Sequence, residues 1–131
     1  MARYDELVKS LRQAVTPDDV VAAMISQLRR SEFPADPLKI HGAIYRLREE
    51  FPDLLGEFLF FKGNLYPFSE LLERVLFRLK ASLTLSTISP SFDKYLITDE
   101  VKKELRQRVL SRFPKETQEE IKLLAHRFEM L

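Results

Sequence analysis

The chain contains no cysteine. That excludes disulfides, thiolate catalysis and cysteine-ligated zinc or iron–sulfur centres. Only three glycines occur in 131 residues, too few for an all-β protein built on many tight turns. No hydrophobic run approaches the ~18 residues of a membrane span. The aromatic run Phe58-Leu59-Phe60-Phe61 is only strand-sized. The first residues, MARYDELVKSLRQAV, intersperse charges among apolar groups and lack the apolar stretch of a signal peptide. Charge of one sign is missing too. The 21 basic and 20 acidic residues leave a net charge of +1, with no basic tail. Phosphate neutralisation supplies most of a nucleic-acid binder's affinity, so such a protein normally shows a stronger basic footprint. The expectation is a cytoplasmic protein with no membrane association.

What is present reads as one domain of mainly α (α+β) class. Hydrophobic residues make up 45% and charged residues 31%, an ordinary globular composition. Residues 4–15 form a helical stripe of Tyr4, Leu7, Val8, Leu11 and Val15. Thr16-Pro17-Asp18-Asp19 is a helix start, with Thr16 as N-cap and Pro17 in the first turn. The helix behind it buries Val20, Val21, Met24, Ile25 and Leu28, and its last turn is expected to hold Arg29 and Arg30. Asp36-Pro37 repeats the start signal for a helix to about Phe51. Phe33, Phe51 and Phe113 each precede a proline, which predicts a helix stop with the ring folded onto the core.

The middle of the chain is the most patterned. Aromatic density predicts a short strand near Glu57–Phe61, ended by Lys62-Gly63-Asn64. Ser69 caps a helix to about Ala81. Two strands follow, over 83–89 and 93–98, around a Ser89-Pro90-Ser91-Phe92 loop. Thr98-Asp99-Glu100 opens a fifth helix, and a last one starts after Pro114 or at the capping-box pattern Thr117-Gln118-Glu119-Glu120. The expected architecture is winged-helix-like: an N-terminal helical pair (1–35), a helix–strand–helix–hairpin core (36–98) and two C-terminal helices (99–131).

A helical projection of residues 69–81, at about 100° per residue, puts Leu71, Leu72, Val75, Leu76 and Leu79 inward. Glu70, Glu73, Arg74, Phe77 and Ala81 face outward, flanked by Arg78 and Lys80. A helix reading the DNA major groove would carry Arg, Lys, Asn, Gln or Ser on that face. Two glutamates and a phenylalanine suit protein better. Phe77, Glu70, Glu73 and Arg74, with the leftover apolar Leu123 and Met130, are therefore the expected protein interface, to a partner or to a second copy. The nucleic-acid alternative rests on Arg74, Arg78, Lys80, Lys94, Lys103 and Arg106. The densest positive run, Lys102 to Lys115, reads first as a solvated helix face.

Tyr66-Pro67-Phe68-Ser69, the apolar positions Leu71, Leu72, Val75, Leu76 and Leu79, the hairpin end Tyr95-Leu96-Ile97-Thr98 and the upstream helix Leu38–Tyr45 together resemble the Panacea-type antitoxin domain and related bacterial winged-helix proteins. The similarity spans residues 38–112. The family's glycine before the proline is absent here, where Asn64-Leu65-Tyr66 precedes Pro67. The resemblance implies a non-enzymatic regulator or adaptor that acts through its surfaces.

Chemistry-bearing constellations are sparse. His41 and His126 are the only imidazoles, and His126 has only Glu129 at helical spacing, which is short of a metal site. The pairs Asp18/Asp19, Asp99/Glu100 and Glu119/Glu120 sit where helix first turns favour negative charge, and Glu49/Glu50 lie beside Arg46 and Arg48. No phosphate-cradling loop or nucleophile elbow occurs. The expectation is no enzyme, no cofactor, no metal and no small-molecule substrate.

Overall fold

The computed structural model describes residues 16–61, 65–82, 84–87 and 93–131. The helix expected over 4–15, the turn at 62–64 and the hairpin loop at 88–92 lie outside these residues. In chain order come α1 (Pro17–Ser26), β1 (Glu32–Pro34), α2 (Pro37–Glu50), the one-turn α3 (Pro52–Leu55), α4 (Glu70–Ala81), β2 (Ser86–Thr87), β3 (Lys94–Leu96), α5 (Asp99–Arg108), a 3-10 turn (Leu110–Arg112) and α6 (Lys115–Met130). The protein is thus mainly helical with a small three-stranded antiparallel sheet.

Most helices start where a capping side chain stands. At α1, Thr16 Oγ1 accepts the Asp19 N–H at 3.3 Å, and the Asp19 carboxylate accepts the Thr16 N–H at 3.0 Å, closing a capping box. Asp36 accepts from Leu38 N–H at 3.0 Å, Ser69 from Leu72 N–H at 3.2 Å and Thr98 from Val101 N–H at 3.2 Å. The last helix departs from this pattern. It begins directly behind Pro114, so Thr117 lies inside it and the expected box does not form; Gln118 Nε2 instead donates to the Phe113 carbonyl at 2.8 Å. α1 also ends earlier than its apolar stripe implies. After Ser26 the N–H groups of Gln27 and Leu28 turn back to Met24 and Ile25, leaving Arg29 and Arg30 beyond the helix.

The sheet corrects a second expectation. Its third strand is Glu32–Pro34, not residues 57–61. The order is β1-β3-β2, with Glu32 opposite Leu96, Phe33 opposite Tyr95 and Pro34 opposite Lys94 on one side, and Ser86 opposite Leu96 on the other. Residues 57–61 make only a local bridge, in which Phe61 and Phe68 exchange main-chain hydrogen bonds at 2.9 and 3.1 Å. This segment is fastened to α2 instead. Arg48 Nη1 donates to the Phe58 carbonyl at 3.2 Å, and the Phe60 ring meets Tyr45 edge-on at 5.2 Å. Gly56 stands at the turn into it because a Cβ there would come 2.5 Å from the Pro52 carbonyl oxygen.

One core collects the inner faces of α1, α2, α4 and α6 together with β1 and the ends of the hairpin. Ile25, Ile44, Leu55, Phe58, Leu72, Leu85, Ile97, Ile121 and Leu124 are fully buried. Each such side chain contributes about 1.5–3 kcal/mol relative to exposure. The three phenylalanines before prolines are buried, as their spacing implies, although Phe33-Pro34 closes a strand rather than a helix. Among the described residues no helix is long and apolar enough to cross a membrane.

Candidate interaction surface

α4 is the element most sharply divided between core and solvent. Leu72, Val75, Leu76 and Leu79 are buried, while Glu70, Glu73, Arg74, Phe77, Arg78, Lys80 and Ala81 are exposed. Ser69 caps its start, Glu70 and Glu73 occupy its first turn, and Arg78 and Lys80 its last. That order complements the helix dipole. The Phe77 ring is 70% exposed at the centre of the outer face. Nothing in a helix's own stability requires an aromatic ring in water.

The flanking charges are not equally free. Glu73 is tied to His41, which is fully buried: His41 Nε2 lies 3.0 Å from a Glu73 carboxylate oxygen, and His41 Nδ1 accepts the Ser69 N–H at 3.1 Å. Because Nδ1 accepts, the ring proton is on Nε2 and donates to Glu73. The imidazole stacks on Phe68 with centroids 4.7 Å apart and planes 11° from parallel. His41 is therefore a satisfied core histidine that fastens α2 to the start of α4. The Tyr95 hydroxyl is pushed above its ordinary pKa by burial, with the negative charge of Glu73 adding to the effect.

Arg78 donates from Nε and Nη2 to the two Asp18 oxygens at 2.6 and 2.8 Å, and this hydrogen bonding holds the guanidinium above its ordinary pKa. Lys94 pairs with Glu32 at 3.1 Å across the sheet. Arg74, Lys80, Lys103 and Arg106 are exposed and make no ion pair among the described residues. The cationic run of α5 shrinks on inspection. Lys102 is buried and donates to the carbonyls of Leu28 and Arg30 at 2.9 and 2.6 Å. Arg108 pairs with Glu104, and Arg112 reaches Asp19 at 3.5 Å. Glu50 is taken by Arg127, not by Arg46 or Arg48.

The expected interface set is not a single patch. Leu123 and Met130 are exposed on α6, 48% and 79% respectively. Leu72 and Leu76 of α4 and Phe128 of α6 line the same small internal gap. The inner faces of the two helices thus converge, and Phe77 on one points away from Leu123 and Met130 on the other. The sequence reading missed four further exposed apolar groups among the described residues, Leu59, Phe61, Leu65 and Leu131. The sequence gives no sign of the first two, since residues 58–61 are uniformly apolar; in the structure Phe58 is buried, Leu59 exposed, Phe60 half-buried and Phe61 exposed, the alternation of a one-sided extended segment. The role of Glu129, noted in the sequence only for its spacing from His126, was also missed: its carboxylate accepts the backbone N–H groups of Arg29 and Arg30 at 2.9 and 3.1 Å. Among the described residues no group of three or more His, Asp or Glu is placed to hold a metal ion.

Compared with known protein families, curated proteins and solved structures, the chain finds no match.

Proposed function

We propose that this chain is a non-catalytic, cytoplasmic binding module of winged-helix type that meets another protein through the outer face of α4. The architecture supports the first half of that reading. Helix, strand, helix, helix, strand, strand, with the first strand pairing to the last, is the order in which a winged helix is built. Here a segment fastened by His41 and Arg48 separates α2 from α4. The observation that carries the second half is Phe77, 70% exposed between acidic and basic turns. Aromatic and arginine side chains dominate protein hot spots.

The flanks of α4 disfavour a second copy packed antiparallel, helix to helix. At about 100° per residue, Arg74 and Arg78 lie on one side of Glu70, and Glu73, Phe77 and Lys80 on the other. A two-fold axis between antiparallel helices sets like flank against like flank. It would bring four arginines together, of which Asp18 compensates only the two Arg78 side chains.

A photo-crosslinking phenylalanine analogue at position 77, activated in the native host, tests the reading. A discrete protein adduct is expected; an adduct to nucleic acid alone, or none, overturns it. Phe77→Ala should leave the thermal midpoint nearly unchanged, because an exposed side chain contributes within about 0.5 kcal/mol.

A second reading, a DNA-binding regulator or antitoxin of the Panacea-like kind, is favoured by one observation. Arg74, Lys80, Lys103 and Arg106 have no carboxylate partner among the described residues. It requires a duplex mobility shift at low salt that fades steeply as salt rises and weakens on Arg74→Glu. No shift at low salt removes it.

A further inference from the structure

Away from α4, two open grooves lie along the connection that leaves α1. The first, about 230 Å³, has Phe33, Ile40, Ala43 and Phe128 as its floor, with Arg30 and Lys39 at its edges. The second, about 320 Å³, runs between Arg29, His126 and Met130. Arg30 and Glu129 line both, so the two grooves are neighbours on this surface. Its backbone is held from both sides. Lys102 binds the carbonyls of Leu28 and Arg30, and Glu129 takes the N–H groups of Arg29 and Arg30.

The charge balance of this surface is lopsided. Glu129 spends both oxygens on backbone N–H groups, and Glu32 is paired with Lys94. Arg29, Arg30 and Lys39 are exposed and make no ion pair among the described residues. The backbone that carries Arg29 and Arg30 is held in place, so only their side chains remain to be ordered on binding. Between them lies an apolar floor, with Met130 79% exposed at the far end. Arginine, aromatic and methionine side chains around an apolar centre are the composition of protein interfaces.

We propose that these neighbouring grooves dock an acidic amphipathic segment of a partner protein. A bulky apolar side chain would sit over Phe33, Ile40 and Phe128, and flanking carboxylates would pair with Arg29, Arg30 and Lys39. Two neighbouring grooves that share Arg30 and Glu129 suit a chain segment rather than one small carboxylic acid, and an apolar floor offers nothing to a phosphate backbone. The site stands independently of the α4 face and of whatever that face binds.

The test uses the full chain, isotope-labelled, and a synthetic amphipathic peptide with Leu and Phe one helical turn apart and Glu elsewhere. Amide shifts are expected at Arg29, Arg30, Phe33 and Phe128 and absent around Phe77. A peptide with Lys in place of Glu should bind at least about tenfold more weakly, and Lys39→Glu should weaken the acidic peptide by a similar factor. Arg30→Glu is the companion variant, accepted only where its remaining amide spectrum is unchanged. Phe77→Ala should bind the acidic peptide as the parent does. No shift at any peptide concentration, shifts confined to the α4 face, or equal binding of the two peptides overturns the proposal.

Discussion

The two ends of α1 are held by opposite means. At its C-terminal end the ties reach the backbone. The buried Lys102 ammonium binds two carbonyls, and the Glu129 carboxylate binds two N–H groups of the residues that follow. At its N-terminal end the ties beyond the capping box join side chain to side chain in solvent, Asp18 with Arg78 and Asp19 with Arg112. Buried polar groups that satisfy backbone are expensive to remove, because what remains is an unpaired polar atom with no water to replace the partner. Exposed ion pairs are exchanged for water at little cost. The comparison separates charges that build the fold from charges that remain available for partners, a distinction a count of cations cannot make.

The largest effect is expected from Lys102→Met. The methionine keeps the apolar stem but leaves the Leu28 and Arg30 carbonyls without their donor. A loss of about 3 kcal/mol follows, read as a fall of roughly 10 °C in thermal midpoint for a domain of this size. A fall no larger than that of an exposed-lysine control such as Lys103→Met would remove the distinction drawn above.

Glu129→Ala comes next. Its two acceptor oxygens serve N–H groups at the partly solvated edge of the same turn. Water replaces part of what is lost, so about 1–2 kcal/mol is expected. Hydrogen exchange should accelerate at the Arg29 and Arg30 amides before it does so in the core of α1. Uniform acceleration across α1 would show that the turn and the helix open together.

Neither tie was legible in the sequence, and the reason is physical. Lys102 stands in a run of cations on a helix, where the usual environment is water. Only the three-dimensional arrival of residues 28–30 beside it makes the position buried. Local signals read true at four helix starts, where Thr16, Asp36, Ser69 and Thr98 cap the helices they precede, and failed at Thr117, which lies inside the last helix. The division of α4 into an apolar inner and a polar outer face was visible too, because helical period alone decides it. The sheet was misplaced for the converse reason. Glu32-Phe33-Pro34 is too short and too proline-bound to announce itself, and it becomes a strand only by pairing with Lys94–Leu96 far along the chain. The richer aromatic run at 57–61 had the better propensity and lacked the partner. His41 stands in the sequence only as one of two imidazoles. Its hydrogen-bond partners, Ser69 as donor and Glu73 as acceptor, are distant in sequence.

At the N-terminal end the capping box is the strongest tie, and Thr16→Ala should cost about 1 kcal/mol. Thr16→Ser, which keeps the acceptor oxygen, should recover most of it. If Ser fails to rescue, the contribution lies in packing of the threonine methyl rather than in the cap.

The smallest effect is the one that bears most on function. Arg78 makes the shortest ion pair among the described residues, with Nε and Nη2 both on the half-buried Asp18. Its geometry invites the conclusion that it clamps α4 to α1. The burial of Leu72, Val75, Leu76 and Leu79 already does that, and the pair is open to solvent and to screening by salt. Arg78→Ala should therefore move the thermal midpoint by less than about 1 °C. Raising salt should produce no larger shift in the parent than in the variant. The Asp18 carboxylate, released from its arginine, becomes one more negative charge at the edge of the α4 face. A partner that meets this face should feel that change even though the fold does not, so Arg78→Ala should alter crosslinking from position 77 while leaving the midpoint alone. A drop of several degrees with unaltered crosslinking would invert the comparison and make the solvent-exposed end of α1 the structural one.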